Sequence, residues 1–83
     1  MSEANSPPPE RDLNFQIISA EAVDGDPVFG FNIMIKFIDS PLGTITLTYK
    51  CGAIKFDKLN DRIGRDLKLF GQQLVLASEK LLN

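Results

Sequence analysis

Cys51 is the one thiol in the chain, and no histidine accompanies it. A cysteine attacks as its thiolate and needs a base or a cationic setting to ionise. Cys51 instead continues an alternating run, Ile45, Leu47, Tyr49, Cys51, which is the place of a packed thiol; Tyr49 reads as packing in the same run. Ser40 precedes a proline rather than standing in a glycine-flanked elbow. Zinc needs histidines or several cysteines, which excludes that chemistry. Glu21, Asp24 and Asp26 offer oxygen ligands, but the twelve-residue calcium loop closing on a glutamate is absent, and these acids read as turn and cap residues. No glycine-rich loop opens a helix to cradle a phosphate. The sequence therefore predicts no enzyme, no cofactor and no metal, and it assigns no catalytic residue.

The remaining chemistry is charge. Net charge is −2, but residues 1–49 carry two bases against seven acids, whereas residues 50–83 carry seven bases against four acids. Lys50, Lys55, Lys58, Arg62, Arg65 and Lys68 fall within a 19-residue span, 50–68. Phosphate binding calls for several cations that carboxylates do not neutralise. Asp57, Asp61 and Asp66 interrupt this run, and Asp61–Arg65 and Arg62–Asp66 stand at the i,i+4 spacing of helical ion pairs. The outward strand positions also lack the aromatics that stack on single-stranded bases. A nucleic-acid-binding accessory role through this basic segment is kept as the second reading. Protein partners suit the charge asymmetry better, since a basic helix and an acidic sheet end can steer one another.

These groups have to be positioned by elements that the residue pattern specifies. Residues 1–12 hold Pro7, Pro8 and Pro9 among polar residues, and they read as a disordered tail preceding a single domain over 13–83. Leu13, Phe15 and Ile17 alternate with polar residues as a half-buried strand does, and Ile18 breaks the alternation at an expected bulge. Asp24-Gly25-Asp26-Pro27 is turn chemistry. Phe29, Phe31, Ile33, Ile35 and Phe37 form one face of a second strand. Ser40-Pro41-Leu42-Gly43 follows as a β-turn of type I pattern, and Ile45 to Cys51 as a third strand with Thr44, Thr46, Thr48 and Lys50 outward. Short loops predict an antiparallel meander. Ala53 to Phe56 fits either a fourth strand or the approach to a helix. From roughly Asp57 to Leu82, with Asp57 or Asn60 as N-cap, Phe56, Leu59, Ile63, Leu67, Phe70, Leu74, Ala77 and Leu81 form an apolar helical stripe. The fold class is α+β: a three-stranded, or four-stranded, antiparallel meander with one long C-terminal amphipathic helix on one sheet face.

That helix is longer than a strand of the sheet, by ~1.5 Å per residue against ~3.3 Å over far fewer residues. Its apolar stripe nevertheless continues to Leu81 and Leu82, so a cover from outside is expected. Gly64, Gly71 and Ser78 recur every seven residues on its flank, although each helical glycine costs roughly 1 kcal/mol against alanine. They suit either close packing on the chain's own sheet or a helix–helix contact between two copies. Leu69 and Leu76 lie on the far face among cations and glutamines, as a small apolar patch. The expected partner surface is Gly64, Gly71, Ser78, Leu69, Leu76 and Leu82, serving a homodimer and a further protein partner. With one cysteine, no signal-like N-terminus and no apolar run of membrane length, a cytoplasmic setting without membrane contact is expected.

Overall fold

The computed structural model describes residues 13–82; Asn83 and the Pro-rich tail expected over 1–12 lie outside the described residues. Three antiparallel strands are followed by one long C-terminal helix, an α+β arrangement. The chain divides between Ala53 and Ile54 into two compact units, a sheet and a helix.

In the sheet unit, β1 (Asn14–Ala22), β2 (Phe31–Ser40) and β3 (Gly43–Cys51) lie in the order β1-β2-β3, the expected meander. Their register stacks four rows on one face: Phe15, Phe37, Ile45; Ile17, Ile35, Leu47; Ala20, Ile33, Tyr49; and Ala22, Phe31, Cys51. The expected bulge is present, as a register shift between Ile17 and Ser19. One extra residue reverses the side-chain parity of everything beyond it. The bulge thereby returns Ala20 and Ala22 to the apolar face and leaves Glu21 on the other, opposite Asn32. That second face carries mostly polar rows, such as Gln16, Lys36, Thr46 and Glu21, Asn32, Lys50.

Burial along the apolar face is graded. Phe31, Ile33, Ile35 and Cys51 are buried, with Ile33 and Ile35 at 0% exposure. Phe15, Ile17 and Ile45, expected as core, are exposed, although the Phe15 and Phe37 rings keep a tilted contact at 6.4 Å between centroids. The apolar face is continuous, but burial covers only the part centred on β2.

One loop differs from expectation, while the Ser40–Gly43 turn forms where it is expected. Phe29 does not belong to β2; it ends a 3-10 turn, Pro27–Phe29, and is exposed. Pro27 presets this turn, and the Asp26 carboxylate accepts the Val28 amide at 3.0 Å. Gly30 closes it at φ 100°, donating to the Pro27 carbonyl while its own carbonyl accepts from Val23. A Cβ at Gly30 would collide with the carbonyl oxygen of Cys51. At the other hairpin Ser40 pairs with Gly43 across Pro41 and Leu42, and its hydroxyl donates to the Gly43 carbonyl and accepts from the Leu42 amide. The register slips between Phe37 and Ser40, and Asp39 takes a left-handed φ of 61° there.

In the helix unit, residues 52–55 have no regular structure, which settles the ambiguous stretch against a fourth strand. A 3-10 turn, Phe56–Lys58, then leads into α1 (Leu59–Leu82). Neither Asp57 nor Asn60 is the N-cap. Lys55 occupies that position without a side-chain cap, its carbonyl accepting the Lys58 amide at 2.9 Å. Asp57 contributes instead as an acid in the first turn, where the positive end of the helix dipole favours it. The tighter winding of the 3-10 turn also takes Phe56 off the α-helical stripe, and Phe56 is exposed.

Two of the positive-φ positions, Gly30 and Asp39, make opposite predictions. Gly30→Ala should destabilise by more than about 2 kcal/mol, because both the dihedral and the Cys51 carbonyl oppose a methyl group. Asp39→Gly should stabilise slightly, by up to about 1 kcal/mol, by relieving the left-handed backbone. Urea denaturation followed by far-UV circular dichroism measures both shifts.

Candidate interaction surface on the C-terminal helix

Helical geometry advances about 100° per residue, so residues seven apart fall nearly in line. Three rows along α1 matter. Leu67, Leu74 and Leu81 make one, and Gly64, Gly71 and Ser78 run beside it, roughly 60° around the axis. Val75 and Leu82 stand on the other side of the small residues. The small row is therefore the floor of a shallow trough between two apolar ridges.

Exposure changes steeply along this surface. Leu59 and Ile63 are the buried residues of α1, and Leu67 is half-buried. From Leu69 onward every large apolar residue is exposed, Leu74 at 54% and Leu81 at 88%. A Cβ at Gly64 or Gly71 would meet open space among the described residues. Neither glycine thus has a packing reason within that part of the chain. Ser78 turns its hydroxyl back onto the Val75 carbonyl at 2.8 Å, so it adds little polarity to the trough. Leu82 adjoins this surface, whereas Leu69 and Leu76, though exposed, project from the opposite side of the helix. The expected partner residues accordingly fall on two faces rather than one. Val75 lies off the main apolar stripe, and the sequence signal for it is its position bordering the glycine row.

The cations of residues 50–68 are spread over several elements. Lys50 lies on the polar face of β3, Lys55 precedes the 3-10 turn that holds Lys58, and Arg62, Arg65 and Lys68 are on α1. Both anticipated ion pairs form, Arg62–Asp66 and Arg65–Asp61, each with its shortest contact at 3.0 Å. Such i,i+4 pairs at a partly solvated surface are worth about 0.3–0.5 kcal/mol and reduce the charge offered to a polyanion.

On the sheet, Cys51 is buried, in register with Phe31. Asp26 is engaged in its turn. Among the described residues, no three His, Cys, Asp or Glu side chains gather as metal ligands do, and no helix is long and apolar enough to cross a membrane.

Because the space at Gly71 is open, Gly71→Ala should raise helix stability in dilute solution by up to about 1 kcal/mol, the propensity difference alone. Thermal melts at micromolar concentration check this, with no change expected in the shape of the far-UV spectrum.

No protein-family model matches this chain, nor does any curated protein or solved structure show significant similarity to it.

Proposed function

We propose that this chain is a non-catalytic protein-interaction module, acting as an accessory or adaptor factor through its C-terminal helix, with a second copy of itself as first partner. The observation carrying this reading is the uncovered apolar surface of α1, from Phe70 through Leu74 and Val75 to Leu81 and Leu82. Singly exposed leucines are ordinary, but a contiguous apolar strip along one helix is a feature of interaction sites. The reading includes a reducing, cytoplasmic setting, which the buried free thiol of Cys51 suits. The polyanion reading carries less weight, since two of its six cations are already held by carboxylates on the same helix.

Light scattering coupled to size-exclusion chromatography tests this from micromolar to millimolar concentration. The mass is expected to rise from 9.2 kDa toward twice that value. Leu74→Lys should hold it at the lower value while leaving the far-UV spectrum of the dilute protein intact. A wild-type mass that stays at one chain throughout, with salt-dependent retention on a heparin column, would transfer the reading to nucleic acid.

A further inference from the structure

We infer that two copies join edge to edge through β3, antiparallel about Leu47, so that two three-stranded sheets become one continuous sheet. This rests on the self-association reading above and adds a contact to it. The two edges of the sheet are not alike. Both register slips place the extra residue outside β3: Ile18 on β1, and Ile38 with Asp39 on β2 against Thr44 alone. A bulge disrupts the ladder that an added strand would have to continue, and proteins use bulges and charges to blunt an edge. β1, the edge with the bulge, also carries Glu21. β3, the other edge, runs unbroken from Gly43 to Cys51 and pairs with β2 alone among the described residues. Its segment Thr44-Ile45-Thr46-Leu47-Thr48-Tyr49 holds no charge, proline or glycine, and every residue but Leu47 is a strong β-former. Segments of this composition on an open edge recruit another strand through their unused N–H and C=O groups. Thr44, Ile45, Thr46 and Thr48 are exposed, and Leu47 is half-buried.

The strand that fits this edge is β3 of a second copy. Residues opposed in an antiparallel pair share a face of the sheet. With the two-fold axis at Leu47, Ile45 meets Tyr49 and Leu47 meets its counterpart, which extends the apolar face. Thr46 meets Thr48 and Thr44 meets Lys50, which extends the polar one. Sliding by one residue would set Ile45 opposite Thr48 and mix the faces. Sliding by two restores the faces but shortens the overlap, because Leu47 is the midpoint of β3. A parallel, in-register pair would bring Lys50 beside Lys50, the one charge of the strand. The two-fold pair uses each β3 once, so the joined sheet ends on both sides in a bulged β1 and association closes at two copies. Strand pairing by itself is marginal in water. It therefore reinforces contact through α1 rather than replacing it, and Leu74→Lys should lower the mass even with β3 intact.

Disulfide trapping reads this geometry directly. Thr46→Cys and Thr48→Cys are prepared as separate proteins, with the wild type as control because its own Cys51 is buried. Position 46 of one copy lies directly opposite position 48 of the other, within disulfide reach, whereas like positions are diagonal neighbours about 7–8 Å apart. Mild oxidation of the mixture is expected to give the cross-linked heterodimer, and each variant alone little covalent dimer. Efficient cross-linking of Thr46→Cys alone would overturn the antiparallel register. A wild type that dimerises by light scattering, with no cross-link in the mixture, would overturn the β3 contact and leave self-association standing. A wild type that is monomeric at all concentrations would overturn both. The double variant Thr46→Glu/Thr48→Glu places like charges opposite one another across the axis, while position 46 stays beside Lys36 in its own sheet. It should weaken the dimer about tenfold and leave the far-UV spectrum of the dilute protein unchanged. Dimerisation of that variant at wild-type strength would overturn the contact.

Discussion

The buried side chains of the 24-residue helix α1, Leu59 and Ile63, both lie in its first two turns, whereas its large apolar residues from Leu69 onward are exposed. This uneven burial governs how the rest of the protein can be understood. An isolated helix of such length is marginal in water, and most helical stability in proteins comes from packing an apolar face. Beyond Leu67 the described chain leaves that face exposed. Glycine at 64 and 71 lowers helix propensity further. Weak intrinsic stability combined with strong amphipathicity suits a segment that gains its order from a partner.

The sheet shows the opposite economy: its polar groups are occupied with building the fold. Asp26 caps a 3-10 turn, Ser40 ties both sides of the β2–β3 hairpin, and Gly30 accommodates the Cys51 carbonyl. The bulge at Ile17–Ser19 keeps the apolar face continuous across a strand whose sequence changes parity. Asp26 and Ser40 are thus engaged in turns, and Cys51 is buried. The uncommitted apolar surface of α1 lies in a segment without nucleophiles or clustered carboxylates.

Much of this was legible from residue pattern alone. Alternation located all three strands, the break at Ile18 located the bulge, and the spacing from Leu59 to Leu81 located the helix. The misplacements have local physical causes. Phe29 fits the period of β2, but Pro27 and the Asp26 cap favour a helical turn, and only Gly30 can close it. Side-chain capping preferences point to Asp57 or Asn60 at the helix entry, whereas the chain enters through a 3-10 turn that uses backbone bonds. Periodicity identifies which residues share an apolar face; it does not say how far cover extends along it. Phe15 and Ile45 fit the period of a packed face yet are exposed, and the helical stripe is exposed toward Leu81, where the pattern predicts a cover from outside. The glycine row was visible in sequence, but its significance required knowing that the space above it is open.

Amide hydrogen exchange along α1, followed as a function of protein concentration, probes the uncovered surface most directly. Local opening is cheapest where tertiary contacts are few, and a partner that binds the folded helix suppresses it by mass action. In dilute protein, the amides of residues 71–82 should exchange much faster than those near Leu59 and Ile63. As concentration rises, protection should spread toward the C-terminal end of the helix. Exchange over residues 71–82 that is already slow in dilute protein, or that is unchanged at millimolar concentration, would contradict the account.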